Sequence, residues 1–349
     1  MHLNMNDCVE RALVSYCVIS YNQEQFIQHA VNASLAQSFK DMEVIISDDC
    51  SSDKTFDVIQ NSLKDNSKTS VQVNYNAINQ GINVHVNTIV GLSHGDFIVI
   101  SSGDDISMPT RVEKLVGEWQ DGAIGVFSNA ESIDSQGNIK GLFMHQGYKH
   151  LATWQEMVVA GSHGAWGCTF AWDRKIFDIF GSLPLNILGE DASIPFRCAL
   201  LGKVAYIDEP LVKYRDHGGN VSFWAQMKNA SAQDLLKTGE KIIRFDQTLY
   251  QNWRKDIATA ASSDYLSKEE VKWAGKWLTV HEEIRRVQLR ILKCSYMVSI
   301  STLICELWHR RISEHRKLWV KRLIGMFLQF RMPWLYKTLL HFKGMSRSA

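Results

Sequence analysis

Glu43-Val44-Ile45-Ile46-Ser47-Asp48-Asp49-Cys50-Ser51-Ser52-Asp53-Lys54-Thr55 changes character abruptly in its middle. The first part is apolar and β-branched, the composition of a strand buried on both faces. Two aspartates then stand side by side. A serine-rich turn follows, and from Thr55 to Leu63 the apolar residues Phe56, Ile59 and Leu63 recur at helical spacing. Adjacent carboxylates at the end of a buried strand repel each other unless a cation or hydrogen-bond donors compensate. The stretch therefore reads as strand, functional turn and helix, with Ser52 or Asp53 as candidate helix cap.

The same unit recurs on either side. Upstream, Leu13 to Ser20 is an apolar strand, followed by Tyr21-Asn22 and a helix over about 25–37 that places Phe26, Ala30, Ala33 and Leu35 near one face. Downstream come a strand at Val71–Tyr75, a helix at Ile82–Leu92 and a strand at Phe97–Ile100. Pro109 starts a helix through Trp119, and Ile124–Ser128 closes the series. Such alternation predicts an α/β fold, a mostly parallel sheet flanked by helices. Sheets of this kind bind ligands beyond the carboxyl ends of their strands. The polar clusters fall there: Tyr21-Asn22, Asp48-Asp49 and Ser102-Gly103-Asp104-Asp105. Residues 130–223 mix turns, glycine and aromatics, and from about 225 the pattern is helical and amphipathic. The predicted division is a catalytic domain over 1–224 and a helical, basic C-terminal region over 225–349.

The 349 residues are 45% hydrophobic with a net charge of +1, so a sizeable core and no extensive disorder are expected. That balance hides an asymmetry. From Arg285 onward, 14 Lys and Arg face two acids, Glu306 and Glu314. His309-Arg310-Arg311, Arg316-Lys317, Lys321-Arg322, Arg331 and Lys337 are interleaved with Trp319, Leu323, Phe327, Phe330, Trp334, Leu335, Tyr336 and Leu339. A basic amphipathic helix of this composition suits an anionic membrane surface. Nucleic acid is not expected, because no nucleic-acid motif accompanies the charge. No apolar run reaches 18 residues and no secretory signal is visible, which predicts a cytoplasmic, peripheral location. Seven cysteines without C-x-x-C spacing predict reduced, buried thiols.

The acidic pairs carry the chemistry. One carboxylate of Asp48-Asp49 can accept hydrogen bonds from the imide of a pyrimidine base. Asp104-Asp105 beside Gly103 suits Mn²⁺ or Mg²⁺ bridging a diphosphate, since hard cations take one or two carboxylates plus substrate phosphates. Glu190-Asp191 supplies a candidate general base for an acceptor hydroxyl. His217, in Tyr214-Arg215-Asp216-His217-Gly218-Gly219, lies in a loop able to meet phosphate oxygens or a metal. Trp154 and Trp166 are candidate sugar-packing surfaces, or core aromatics.

In order along residues 13–223, these motifs resemble the family-two glycosyltransferases with the GT-A fold. The resemblance runs through Val14-Ser15-Tyr16-Cys17-Val18-Ile19-Ser20-Tyr21-Asn22, Ala33-Ser34-Leu35-Ala36-Gln37-Ser38-Phe39, the opening stretch, Asn79-Gln80-Gly81-Ile82, Gly95-Asp96-Phe97-Ile98, Gly103-Asp104-Asp105, Glu190-Asp191 and Tyr214-Arg215-Asp216-His217. It implies that Ser20 and Tyr21 line the base pocket, Asp49 contacts the nucleobase and Asp104 lies near the ribose and phosphates. It further implies that Asp105 binds the metal, His217 lies near the diphosphate or metal, and Asp191 is the base, with Glu190 and Trp166 on the acceptor side. The implied reaction is inverting transfer from a nucleoside-diphosphate sugar, with a lean to uridine, to a hydroxyl of a lipid-linked glycan in bacterial surface polysaccharide assembly. Two departures stand out. Ser102 replaces a leading aspartate, and Val86 precedes Asn87 where a basic residue is common. The alternatives are a sugar nucleotidyltransferase, whose glycine-rich basic loop is absent after the first strand, and a catalytically inactive sugar-nucleotide-binding scaffold. The scaffold is distinguished by whether Glu190-Asp191 faces the acidic pair. A Rossmann dehydrogenase is disfavoured, because no G-x-G-x-x-G follows the first strand.

Overall fold

The computed structural model describes residues 13–64, 70–144, 150–162, 167–187, 189–217, 232–294, 296–309 and 315–331. The strands are β1 (Val14–Ser20), β2 (Met42–Asp48), β3 (Val71–Tyr75), β4 (Phe97–Ser102), β5 (Ile106–Ser107), β6 (Ala123–Ile133), β7 (Ile139–Leu142), β8 (Ala171–Asp173) and β9 (Lys203–Arg215). Between them lie α1 (Ile27–Leu35), α2 (Thr55–Leu63), α3 (Ile82–Leu92), α4 (Arg111–Gln120), α5 (Trp154–Ala160), α6 (Lys175–Phe180) and α7 (Ile194–Leu201), with 3-10 turns at Gly167–Thr169 and Glu190–Ala192.

The sheet runs β3-β2-β1-β4-β8-β6-β9-β5, with β7 added to β6. The expected parallel arrangement holds for β3-β2-β1-β4. Beyond β4 the sheet is mixed. β8 inserts antiparallel between β4 and β6, while β9 runs parallel to β6 and antiparallel to β5. Every residue of β1 is buried, and its Val14, Tyr16 and Val18 share one core with Ile27 and Val31 of α1, Ile59 of α2, and Val112 and Leu115 of α4. Burying each such aliphatic side chain is worth about 1.5–3 kcal/mol. A one-residue slip would turn the strand's faces over, so the register of β1 is firmly set, and with it the position of Ser20 and Tyr21 at its end.

The chain forms two compact units. The first comprises residues up to 217 together with 255–271, and the second comprises 218–254 and 272 onward. Segment 255–271 is tied into the first unit by a buried ion pair, Arg197 Nε to Asp256 Oδ1 at 3.2 Å.

The remaining helices are α8 (Ala232–Ser262), α9 (Lys268–Lys293), α10 (Tyr296–His309) and α11 (Arg316–Arg331). In the second unit Ile243, Ile284, Val287 and Ile291 pack with Trp319, Leu323, Phe327 and Phe330. This corrects the lipid-facing assignment of those last four residues. Their helical spacing makes a stripe that the unit's own helices cover, and it leaves Arg316, Lys317 and Lys321 exposed. Arg310, Arg311, Trp334, Leu335, Tyr336, Lys337 and Leu339 lie outside the described residues. Among the described residues no helix is long and apolar enough to cross a membrane. No disulfide links the six described cysteines; Cys17 and Cys198 are fully buried, Cys50, Cys168 and Cys294 are partly buried, and Cys305 is exposed.

Candidate active site

The carboxyl ends of β1, β2 and β4 are in register: Ser20 pairs with Asp48, and Ile19 with Ser102. Just beyond β4, Gly103 is pressed against β1. A Cβ there would lie 3.0 Å from Ser20 Cβ and 2.8 Å from Ile27 Cδ1, so only glycine lets the acidic turn sit this close to the first strand. Tyr21 is 46% exposed at the same edge, whereas Ser20 is buried and turned to β2, its Oγ donating to Asp48 Oδ2 at 3.2 Å.

The two aspartates after β2 have different duties. Asp48 accepts from Ser51 N–H (2.8 Å) and Ser51 Oγ–H (2.6 Å), which holds the turn. Asp49 accepts from Asn76 Nδ2 (2.8 Å), Gln80 N–H (3.0 Å) and Gly81 N–H (2.9 Å). The Gln80 N–H also reaches the second oxygen at 3.2 Å, so three donors make four contacts with this buried carboxylate.

The loops after β1 and β2 are clasped together, mainly by hydrogen bonds that join a side chain to backbone. Asn22, Gln23 and Glu24 donate their N–H groups to Ser51 Oγ, Thr55 Oγ1 and Asp53 Oδ2. Ser52 and Lys54 donate theirs to Asn22 Oδ1 and Glu24 Oε2. Asn22 (φ 52°) and Cys50 (φ 62°) adopt left-handed backbone within the clasp, a conformation that costs non-glycine residues energy and gathers at functional sites. Lys54, and neither Ser52 nor Asp53, is the N-cap of α2, while Asp53, one residue earlier, accepts from the Thr55 N–H (3.0 Å).

The acidic turn after β4 is arranged differently from expectation. His217 Nε2 meets Asp104 Oδ2 at 3.1 Å, not Asp105. Asp105 is 2% exposed and accepts from the Arg215 N–H at 2.9 Å. The cause is the pairing of β5 with β9, Ile106 opposite Lys213, which carries Asp105 under β9 and leaves Asp104 facing the strand's end. Burial, then the neighbouring Asp104 charge, raises the Asp105 pKa well above the usual carboxylate range. The hydrogen bond to Asp104 raises that of His217.

Arg215 organises this corner. Its Nε donates to Asp104 O (2.9 Å), its Nη1 to Asp134 O (3.2 Å), and its guanidinium lies 4.8 Å from the Phe26 ring, on which His217 also packs. Among the described residues no three His, Cys, Asp or Glu groups converge on one point. The Asp104–His217 pair nevertheless fits a hard cation. Donors about 2.1 Å from an octahedral ion stand about 3 Å apart when adjacent, and such ions complete their shell with phosphates and water.

Glu190 and Asp191 form the 3-10 turn before α7, which packs on α3. Burial, and for Glu190 also the Asp191 charge, raises both carboxyls, Asp191 to about 6. Gly167 abuts this turn, and a Cβ there would overlap Glu190 Oε1. Its neighbour Cys168 connects the acidic groups. The Cys168 thiol is raised well above its ordinary value by burial and by the charges of Asp105, Asp104 and Glu190, against Arg111. The 3-10 turn Gly167–Thr169 thus lies against β4 and β9 and, through Gly167, against Glu190.

Against this geometry, the model of glycosyl transferase family 2 matches residues 15–178. Residues 15–178 form a domain of that family. An uncharacterized glycosyltransferase of Nostoc sp. is 27% identical over 214 residues, covering 59% of this chain and 66% of the relative. The GalNAc(5)-diNAcBac-PP-undecaprenol beta-1,3-glucosyltransferase of Campylobacter jejuni is 31% identical over 134 residues, 38% of this chain and 43% of the relative. The chain therefore spans less than two-thirds of either relative's length. The crystal structure of S. aureus TarS 1–349 in complex with UDP-GlcNAc aligns over 92% of both chains with a TM-score of 0.51 at 15% identity. The family-2 domain thus has the GT-A fold.

Within the family-2 domain Trp154 is 5% exposed, at the first turn of α5 behind a Thr153–Glu156 capping box, which makes it a core residue and not a sugar platform. Trp166 lies outside the described residues. Sequence reasoning missed Arg111, which is fully buried and donates to Ser107 Oγ, Ile100 O and Cys168 O. It also missed Asn83 and treated Asn87 only as the partner of a departure. Arg111 follows the helix-starting proline, but nothing local marks its distant partners.

Proposed function

We propose that this family-2 enzyme is a divalent-metal-dependent, inverting glycosyltransferase that moves a sugar from a nucleoside diphosphate to a hydroxyl of a lipid-linked glycan in bacterial surface polysaccharide assembly. The observation that carries the reading is the Asp104–His217 pair at the carboxyl edge of the sheet, with the turn Gly167–Thr169 lying against β4, β9 and Glu190. In this reaction Asp191 takes the proton of the acceptor hydroxyl as its oxygen bonds to the anomeric carbon. The bond from that carbon to the diphosphate oxygen breaks on the opposite side. Asp104 and His217 would hold Mn²⁺ or Mg²⁺, which neutralises charge developing on the diphosphate. Tyr21 offers its exposed ring to the base, and Asp49, just beyond the neighbouring strand end, is the proposed acceptor for the imide N–H of uracil. Asp105 fixes β9 beneath the metal pair, and Glu190 lies beside the base on the acceptor side.

The lipid-linked acceptor is supported by the name of the Campylobacter relative, and the polysaccharide role by those of relatives in teichuronic acid and undecaprenol-linked synthesis. The exposed Arg316, Lys317 and Lys321 favour an anionic membrane surface, at about 1 kcal/mol per basic residue. The functional boundary is proposed near residue 224, with the helical region serving the membrane.

The test is a thermal-shift screen of nucleoside diphosphates and sugar nucleotides with and without Mn²⁺. A ligand at about 100 times its Kd adds about 2.7 kcal/mol. A metal-dependent shift with uridine nucleotides is expected, and no shift with any nucleotide would overturn the reading.

A further inference from the structure

Helix α3 carries two asparagines one turn apart, Asn83 and Asn87, and both are spent on a single loop. Asn83 Nδ2 donates to Pro184 O and to Ile187 O, each at 2.8 Å. Asn87 Nδ2 donates to Leu183 O (3.2 Å), while Asn87 Oδ1 accepts from the Leu183 N–H (2.7 Å). Asn83 is 5% exposed. Its amide orientation is compelled by the partners, since an oxygen between two carbonyls would be repelled by both.

The clamped loop ends two positions before Gly189, whose φ is +94° and which opens the Glu190-Asp191 turn. At its other end α3 begins at Gly81, and the N–H groups of Gln80 and Gly81 hold the Asp49 carboxylate. From Gly81 to Asn87 is six residues, or about 9 Å of helix. One rigid element therefore has its first turn on the carboxylate proposed for the base of the donor and its second turn on the loop that delivers the proposed catalytic base.

We infer that Asn83 and Asn87 are positioning residues, which set the place of Asp191 against the acceptor through the 183–187 loop. The inference rests on the proposed role of Asp191. Neither asparagine touches the reacting atoms. Each removes freedom from a loop whose backbone groups would otherwise bond to water and wander. A misplacement of about 1 Å at a catalytic group costs about 10²-fold in rate.

The experiment uses the full chain with Mn²⁺, comparing wild type with Asn83→Ala, Asn87→Ala and Asn87→Asp. UDP binding is measured by calorimetry, UDP release from sugar nucleotides with a lipid-linked saccharide acceptor gives kcat, and hydrogen exchange is followed over residues 181–193. In both alanine variants kcat per UDP-binding site should fall about 10²-fold with the Kd for UDP unchanged. Exchange should quicken at least tenfold in the 181–193 peptide and stay constant over residues 14–22. Asn87→Asp keeps the acceptor for the Leu183 N–H and should fall between. Should Asn83→Ala fail to fold, the half-buried Asn87 variants carry the test. Wild-type kcat in the alanine variants overturns the positioning role, as does unchanged exchange of the loop. If wild type itself releases no UDP from any sugar nucleotide, the proposed function fails, and the exchange data alone then decide whether the asparagines hold the loop.

Discussion

Replacing Gly189 by alanine should separate the placement of Asp191 from the stability of the fold. Gly189 has φ +94° and ψ +129°, a conformation that L-residues avoid. Holding alanine there costs about 1–3 kcal/mol. In a unit of this size each kcal/mol lowers Tm by about 2–4 °C. The added Cβ would also stand 2.7 Å from Asp191 Oδ1. Ordinary contact between carbon and oxygen is about 3.3 Å, so the carboxylate must retreat by about 0.6 Å. With about 10²-fold lost per ångström, kcat should drop about tenfold.

Gly181 provides the control. Its φ of +68° and ψ of −165° are equally foreign to alanine, but a Cβ there meets nothing within 4 Å. Gly181→Ala should therefore lose stability without losing rate. The assay is kcat per UDP-binding site at saturating donor and Mn²⁺, beside thermal melts of both variants. Equal rates in the two variants, with equal loss of Tm, would refute the placement of Asp191 as the base.

Four further outcomes are expected. Asp104→Ala and His217→Ala should each raise the Mn²⁺ concentration for half-maximal turnover at least tenfold, and an unchanged Mn²⁺ dependence removes the metal assignment. Turnover should rise with pH through the raised pKa of Asp191, about 6, because the base acts deprotonated; a rate already level at pH 5 contradicts this. Glu190 is raised as well, so its contribution to stability is present below the ordinary carboxyl range and is lost as pH rises through the folded value. Glu190→Gln should accordingly gain on wild type in chemical denaturation between pH 5 and pH 9, and a constant difference would show that the carboxyl is not perturbed. Arg197→Met should cost about 3–5 kcal/mol by stranding the buried Asp256 carboxylate, and a loss under 1 kcal/mol would show the pair to be solvated.

The β1-to-α4 series was legible because each element there is long enough to display its period. Strand β1 begins one residue from the expected position, and α3 coincides with it. Strands β5, β7 and β8 were not legible. With two to four residues each they show no alternation, and their partners alone make them strands. The inward turn of Asp105 was not legible either, since a strand pairing more than 100 positions away sets that carboxylate against the Arg215 N–H. In α11 the spacing of Trp319, Leu323, Phe327 and Phe330 marked an apolar face correctly. Spacing cannot say whether lipid or protein covers a face, and here the helices of its own unit do. The clamp of Asn83 and Asn87 was invisible because asparagine inside a helix has no local signature of a partner about 100 residues on.

The clasp between the loops after β1 and β2 bears on how such chains are compared. Asn22, Ser51, Asp53 and Thr55 spend their side chains on the neighbouring loop's backbone. Two enzymes can therefore share this signature and still differ in every sugar they handle. These signature side chains form an architectural seam, and the proposed contacts to base and acceptor fall to other residues, Tyr21 and Glu190.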